Sequence, residues 1–306
     1  QLETDYEPYI VWSRKKFNGK TITINSEGDR IHPCFDCDNK DSSIITRFFG
    51  GSSTWGTGVD DQGTIPYFYN ERNKTEVVFN HGESGYVSRQ NLARLINIIN
   101  QNKKTSKVIF YDGWNDITEL CRADVSINSH NRALKINEHI KRSNNLGSSK
   151  ELILLSLERV FIFYTKELIK NIKGKNKIRF FDNDDNNICC SDVEIRLNVV
   201  KTLINNWSIA KNIVEENGGE FFAILQPSAF TGNNIFHKDY KISRADCMKN
   251  IYNQMCEMIR EELGEKEWFL DLTYIFNDKG PYYFDGVHVN DIANEMIAIE
   301  IDNFIK

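Results

Sequence analysis

The sequence lacks both an excess of positive charge and a long apolar run. Its 306 residues contain 38 Lys and Arg against 43 Asp and Glu, a formal net charge of −5. The chain therefore has no net positive charge that would attract nucleic acid or an anionic membrane surface. The most apolar stretch, residues 152–164, is interrupted by Glu158 and Arg159, and it is too short to span roughly 30 Å of hydrocarbon. These absences argue against a nucleic-acid partner and exclude a transmembrane helix from this stretch.

Proline is also scarce, with 5 residues, while 40% of the chain is hydrophobic and 26% is charged. This composition is typical of a globular protein and excludes a disordered or collagen-like chain. The length allows one large domain or two small ones. The first residue is Gln1 rather than Met, which leaves open an upstream signal peptide or membrane anchor. The location is open, with the cell envelope or another extracytoplasmic site favoured over the cytoplasm.

The cysteine pattern does not predict a metal site. There are seven cysteines, and the close groupings are Cys34-x-x-Cys37 and Cys189-Cys190. A structural zinc ion needs four ligands, and His32 is the one candidate near the first pair. The cysteines are therefore expected to be ordinary thiols, or to form one local disulfide.

From residue 44 onward the chain alternates between apolar runs and helical patterns. Each apolar run ends in a polar, usually glycine-containing loop, which is typical of βα units around a parallel sheet. The predicted strands are 44–49, 76–79, 107–111, 220–226 and 268–272. Helices are predicted after Ser88, after a capping box at Ser191, and at the C-terminus. The expected fold class is α/β, with three layers and a sheet of about five parallel strands.

Two regions fall outside this repeat. Residues 1–43 contain short β-prone runs at 8–12 and 20–25, which predict a β-rich extension before the main domain at 44–306. Residues from about 120 to 190 contain helical spacing that no βα repeat explains, and we interpret them as a mostly helical insertion.

Four loops that follow predicted strands contain the residue types needed for acyl transfer. Ligands of α/β proteins bind at the carboxyl ends of strands. One such loop holds a serine, Ser52, and another holds the neutral amide of Asn115, a side chain that can donate hydrogen bonds to an oxyanion. A third places Asp285 three residues before His288, so the carboxylate can orient the imidazole. The fourth contains His81, a rival base for which no carboxylate lies at comparable spacing.

Together these loops resemble the four motifs of the SGNH, or GDSL-like, hydrolases, over about residues 44–306. The matching segments are Gly50-Gly51-Ser52-Ser53-Thr54-Trp55-Gly56, Gly85, Gly113-x-Asn115-Asp116 and Asp285-x-x-His288. The sequence departs from the family at Gly51, where the family has Asp, and Gly82 competes with Gly85 for the second motif. Segments 9–12 and 23–30 resemble, more loosely, a subgroup associated with bacterial surface-polysaccharide modification.

The resemblance implies a flavodoxin-like SGNH fold and a role for each motif residue. It implies that Ser52 is the nucleophile, that His288 is the base and that Asp285 orients the imidazole. The implied oxyanion hole consists of the backbone N–H groups of Ser52 and Gly85 and the side chain of Asn115. No metal and no organic cofactor are implied. Three aromatic residues next to the motifs are predicted to contact substrate, or else to be packing residues: Trp55, Tyr86 and Trp114.

The function that follows is a serine esterase. It would remove small acyl groups, with acetyl the first choice, from an acylated carbohydrate or related small ester. The first alternative is a glycan O-acyltransferase, which would use the same acyl-enzyme on Ser52 and transfer the acyl group to a sugar hydroxyl. The second is an inactive glycan-binding protein on the same scaffold. The sequence does not separate the first two.

Overall fold

The computed structural model describes residues 2–31, 44–122, 126, 129–145, 187–236 and 246–306. The chain divides into two compact units, 1–131 with 187–306, and 132–186. Of the second unit, residues 132–145 are described. The predicted helical insertion therefore lies largely outside the described residues, as do residues 32–43 at the end of the predicted extension.

The N-terminal segment contains four short strands: β1 (Thr4–Glu7), β2 (Val11–Arg14), β3 (Phe17–Asn18) and β4 (Thr23–Ile24). β1 and β2 form an antiparallel hairpin, and β3 pairs with β4. Single bridges then join Ile24 to Arg30 and Arg30 to Asn80, at the edge of the main sheet. The segment is β-rich as predicted, and it belongs to the same compact unit as that sheet.

The main sheet has five parallel strands: β5 (Ile44–Gly50), β6 (Glu76–Asn80), β7 (Lys107–Asp112), β8 (Glu220–Leu225) and β9 (Phe269–Asp271). Their order is β6-β5-β7-β8-β9, and each neighbouring pair is parallel. This confirms the predicted fold class, with strand ends within about two residues of those predicted. The chain leaves β5 for the edge strand β6 and returns to β7, so the order reverses between β5 and β7. A crevice for ligands is expected at the carboxyl ends of these two strands.

The described helices are α1 (Ser52–Trp55), α2 (Ile65–Arg72), α3 (Ser88–Asn100), α4 (Trp114–Leu120), α5 (Ala133–Asn145), α6 (Val193–Glu216), α7 (Asp246–Leu263) and α8 (Asp291–Ile305). One predicted boundary is wrong, because Asp192 rather than Ser191 caps α6. Its carboxylate accepts hydrogen bonds from the backbone N–H groups of Glu194 and Ile195. An ionised carboxylate is an effective cap because it also interacts favourably with the positive end of the helix.

Two apolar cores lie on opposite faces of the sheet. Successive strand residues, such as Phe48 and Phe49, point to opposite faces of the sheet, as the two-residue period of a strand requires. One core includes α3, α4, α6 and α7, and the other includes α2 and α8. The result is a three-layer α/β/α sandwich. None of the described helices is long and apolar enough to cross a membrane.

Two disulfides connect segments that are distant in the sequence. They join Cys121 to Cys189 and Cys190 to Cys247, with sequence separations of 68 and 57 residues. Cys256 is a buried free thiol, and the pair at 34 and 37 lies outside the described residues. The expectation of ordinary thiols or one local disulfide is wrong for these four cysteines, because adjacent cysteines pair with different distant partners.

Reduction of both bridges should destabilise the fold strongly. Closing loops of this length removes entropy from the unfolded chain, worth about 4 kcal/mol per bridge. We expect a much lower melting temperature by circular dichroism in the presence of a reductant. Peptide mapping without reduction should recover one peptide that contains both Cys189 and Cys190 and is joined by disulfides to the peptide of Cys121 and to that of Cys247. Alkylation of these cysteines in the native, unreduced protein would contradict the assignment.

Candidate active site

Three predicted catalytic residues from two distant loops are in direct contact. Ser52 is the first residue of α1, directly after β5. The Nε2 atom of His288 lies 2.6 Å from the Oγ of Ser52, and its Nδ1 lies 2.6 Å from the Oδ2 of Asp285. When Nδ1 carries the proton and donates a hydrogen bond to the carboxylate, Nε2 is left as the acceptor facing the hydroxyl. This is the arrangement that a general base needs in order to deprotonate a serine.

The carboxylate of Asp285 is fixed by its own loop. Its Oδ1 accepts hydrogen bonds from the backbone N–H groups of Val287 and His288, each 2.9 Å long. Partial burial acts to raise the pKa of Asp285, but the hydrogen bond and charge of His288 and these two backbone donors outweigh burial and lower it. The group is therefore ionised at neutral pH and can stabilise an imidazolium on His288.

Asn115, on α4, connects the serine and glycine loops. Its Nδ2 donates a hydrogen bond of 2.8 Å to the backbone carbonyl of Tyr86, the residue after Gly85. The same Nδ2 occupies the space in which a Cβ on Gly51 would lie. The amide therefore sits between the residue before Ser52 and the residue after Gly85, and it has a second N–H to donate.

The same contact gives a physical reason for the departure at Gly51. A side chain at that position would overlap the Asn115 amide, so the aspartate of the family motif cannot be accommodated here without displacing Asn115. The absence of a side chain at Gly51 does not disturb the contact between Ser52 and His288.

The two candidate oxyanion glycines differ in their backbone N–H groups. Gly82 donates its N–H to the Oδ1 of Asn80 over 3.0 Å and is buried against Thr54. Gly85 is partly exposed and has a φ of +79°, a conformation that glycine adopts without strain. Among the described residues, no acceptor is found for the N–H of Gly85 or of Ser52. Gly85 therefore remains the better candidate.

His81 does not compete with His288. It is buried, and its Nδ1 lies 2.6 Å from Asp29 in the N-terminal segment, while Arg47 Nη1 lies 3.1 Å from its Nε2. Burial lowers the pKa of His81 to about 4, despite the opposing effect of Asp29. The imidazole is therefore neutral, with Nε2 occupied as an acceptor. The sequence-based comparison considered only carboxylates at close spacing, and the partner of His81 lies 52 residues away.

The three aromatic residues predicted to contact substrate are buried. Trp55 lies between two guanidinium groups described below. The hydroxyl of Tyr86 donates to the backbone carbonyl of Trp12. The ring of Trp114 is stacked on Phe230, with centroids 5.6 Å apart and planes 6° from parallel. All three rings pack in the interior, which favours the packing alternative over contact with substrate.

A different aromatic residue lies at the site surface. Phe284 directly precedes Asp285 and is 53% exposed. Its ring packs over Gly58, in the loop after α1, so it lies beside both the acid–base loop and the serine loop. Sequence reasoning missed Phe284, although the signal was present as an aromatic residue adjoining the Asp-x-x-His motif.

Two buried carboxylates support the site from below. Asp116, next to Asn115, accepts hydrogen bonds from the backbone N–H and hydroxyl of Ser88, at the start of α3. Asp112 accepts hydrogen bonds from Asn91 and Trp207. Burial raises the pKa of Asp116 to about 6, and burial together with the charge of Asp116 raises the pKa of Asp112 well above its usual range. Asp116 joins the first turns of α3 and α4, and Asp112 joins the end of β7 to α3 and α6.

The part of the chain that the structure describes contains no group of three or more His, Cys, Asp or Glu side chains arranged to hold a metal ion. The arrangement that is present, a hydroxyl next to an imidazole and a carboxylate, with N–H donors nearby, can perform acyl transfer.

Solved structures of two kinds are similar to this chain. A lipolytic protein of the G-D-S-L family from Veillonella parvula is 12% identical, with 84% of this chain and 96% of that chain covered and a TM-score of 0.45. The chain resembles acetyl xylan esterases too. AlAXEase is 14% identical, with 86% and 100% covered and a TM-score of 0.45. A variant of the Geobacillus stearothermophilus enzyme is 17% identical, with 86% and 95% covered and a TM-score of 0.43.

The Veillonella parvula protein is named for the G-D-S-L family, which is the family that the four sequence motifs resemble. No protein-family model and no curated protein sequence matches the chain. Because the structural identities and TM-scores are low, we infer the activity from the geometry of the site.

Proposed function

We propose that this chain is a serine esterase that removes small acyl groups from a carbohydrate or related ester through an acyl-enzyme on Ser52. The observation that carries the proposal is the continuous set of hydrogen bonds from Ser52 through His288 to Asp285, each 2.6 Å long. If His288 had only a structural role, its ring would not need to face a serine hydroxyl just beyond the carboxyl end of the central strand β5. Ser52 also lies where the strand order reverses, between β5 and β7, which is a position that favours ligand binding.

Acylation begins when the Oγ of Ser52 attacks the ester carbonyl carbon. The hydroxyl proton passes to Nε2 of His288, 2.6 Å away, and the carbonyl electron pair moves to the oxygen. The N–H groups of Ser52 and Gly85 and the amide of Asn115 would donate hydrogen bonds to this oxyanion. The carbon–oxygen bond to the alcohol then breaks, and the imidazolium returns its proton to the leaving oxygen.

Deacylation repeats the same steps with water as the nucleophile. His288 takes a proton from water, the hydroxide adds to the acyl carbon, and Ser52 leaves with the proton as its hydroxyl is restored. The products are a carboxylic acid and the free enzyme. A sugar hydroxyl in place of water would give the transferase reaction, which the products distinguish.

A panel of aryl acetates and acetylated oligosaccharides tests this function directly. The wild-type protein should release acetate from several members of the panel, and Ser52→Ala should release none above background. Transfer of acetyl to an added sugar without release of acetate would identify a transferase instead. Binding of acetylated sugars without any turnover would support the inactive scaffold and contradict the proposal.

Phe284 is the residue we expect to contact the sugar, because its ring is half-exposed beside Asp285 and an aromatic face can pack on an apolar sugar face. Phe284→Ala should raise KM for an acetylated oligosaccharide about tenfold, equivalent to about 1.4 kcal/mol. It should leave kcat for a small aryl acetate within about twofold. The matched control is Phe17→Ala, which removes a similarly exposed ring, 42%, in β3. Equal KM changes in both variants would contradict this role.

A further inference from the structure

The short helix that contains Ser52 is supported by an arginine from the N-terminal segment. Arg30 is buried, and its Nη1 donates to the backbone carbonyls of Trp55 and Gly56, at 3.0 and 2.7 Å. Those carbonyls are at the carboxyl end of α1, where no further helical turn can satisfy them. A helix of four residues is unstable by itself, so α1 depends on this external donor.

The same guanidinium is held firmly in place. Its Nε donates to Asp61 over 2.8 Å, and its Nη2 donates to the carbonyls of Thr21 and Val59. All three nitrogen atoms of Arg30 are therefore occupied, and lysine, with a single nitrogen, could not reproduce this set.

A second arginine, Arg14 at the end of β2, contacts the loop that contains Gly85. Its Nε donates to both carboxylate oxygens of Glu83, at 2.9 and 3.1 Å, and its Nη2 donates to the hydroxyl of Ser84 at 2.9 Å. Glu83 is almost completely buried, and its backbone N–H donates to Gly50, at the end of β5. Arg14 thus fixes the two residues immediately before Gly85.

Trp55 joins these two sets of contacts. The guanidinium carbon of Arg14 lies 4.6 Å from the centroid of the Trp55 ring, and that of Arg30 lies 4.7 Å from it. Both distances are typical of cation–π contacts, which are stronger when the groups are removed from water. The last residue of the nucleophile helix is therefore held by both arginines.

We propose that the N-terminal segment completes the catalytic site, with Arg14 and Arg30 as positioning residues that hold the Ser52 helix against the Gly85 loop through Trp55. This inference rests on the proposed esterase function and assigns a role outside the four motifs. Neither arginine needs to touch substrate. Their contribution is to keep the N–H donors of Ser52 and Gly85 in one arrangement, because an oxyanion hole stabilises charge only when its donors are preorganised.

The test is Arg14→Lys, assayed with 4-nitrophenyl acetate. Lysine keeps the charge that Glu83 needs, but its single nitrogen cannot replace both Nε, which donates to Glu83, and Nη2, which donates to Ser84, and it loses the planar contact with Trp55. We expect kcat to fall at least tenfold while KM stays within twofold. The rate at which an aryl phosphonate labels Ser52 should fall in parallel, because that reaction develops charge in the same oxyanion hole. Arg14→Met provides a second variant that removes the charge as well.

Arg260→Lys is the matched control. Arg260 pairs with Asp271 at 2.6 Å and lies over the ring of Tyr274 at 5.2 Å, so the substitution breaks the same kinds of contact on α7. It should lower the melting temperature to a similar extent and leave kcat unchanged.

The possible outcomes separate this inference from the function on which it rests. If the wild type is active and Arg14→Lys keeps its kcat, the inference is overturned and the esterase function stands. The same conclusion follows if Arg14→Lys loses no more kcat than Arg260→Lys. A rise in KM without a fall in kcat would overturn it as well. A wild type that neither hydrolyses the ester nor reacts with the phosphonate would overturn both.

Discussion

Replacing Ser52 with alanine should lower kcat for an aryl acetate by about 10⁴–10⁶-fold, because no covalent intermediate can then form. Alanine removes one oxygen, the Oγ that lies 2.6 Å from His288 Nε2, and leaves the backbone N–H donor in place. The fold should therefore be retained. Burst-phase kinetics with 4-nitrophenyl acetate should show stoichiometric acylation in the wild type and none in the variant, and intact-mass spectrometry of quenched samples should show the same difference.

The matched control is Ser53→Ala, one residue further along α1, which should hydrolyse the ester at close to the wild-type rate. Wild-type turnover by Ser52→Ala would show that another nucleophile is at work. Ser84 is a weak candidate, because its hydroxyl accepts a hydrogen bond from Arg14 and no imidazole contact is found for it among the described residues.

Asn115→Ala should lower kcat by about 10²–10³-fold, the typical loss for one oxyanion donor, with a small change in KM. The variant keeps the triad but loses the amide that spans from Gly51 to the carbonyl of Tyr86. Because the remaining donors and the nucleophile are intact, acyl-enzyme should still form, only slowly. Stopped-flow measurement of the acylation rate separates this effect from a loss of substrate binding.

Asn294→Ala controls for the lost hydrogen bond. Asn294 is buried and its Nδ2 donates to the carbonyl of Gly63 over 2.8 Å, as Asn115 donates to Tyr86. Each substitution should lower the free energy of unfolding by about 1 kcal/mol, and the large kinetic effect should be confined to Asn115. Normal acylation by Asn115→Ala would remove this residue from the proposed oxyanion hole.

The sheet was predictable because its strands are continuous apolar runs, a pattern that local sequence carries. The same holds for the loops of Ser52 and Asn115, because they follow β5 and β7, which are neighbouring parallel strands whose carboxyl ends meet at one edge. His288 lies beyond the edge strand β9, so strand order does not explain its contact with Ser52, which was expected from the resemblance of the motifs. The predicted roles remain proposals, and the contacts among these side chains support them.

Contacts between distant residues that belong to no recognised motif could not be predicted. His81 has no carboxylate at Asp-x-x-His spacing, and its partner Asp29 comes from a segment that the local pattern separates from the main domain. Cys189 and Cys190 suggest a local pair, but each bonds with a cysteine more than fifty residues away. Outside the four motifs, residue type and spacing did not indicate which distant side chains become neighbours.

The aromatic residues show a different limit. Trp55 and Trp114 adjoin motif residues in the sequence, but neighbours on a helix point in different directions. Ser52 is partly exposed while Trp55, three residues later on the same short helix, is buried. Adjacency to a motif therefore does not separate buried rings from exposed ones, because Phe284 also adjoins a motif and is 53% exposed.

Both guanidinium groups over Trp55 come from residues that precede the first strand of the main sheet. Recombination that joined a foreign leader to this protein at residue 44 would preserve all four motifs and still deprive the nucleophile of its support. If the proposed role of the two arginines holds, the N-terminal segment and the main domain are expected to evolve together rather than to be exchanged independently.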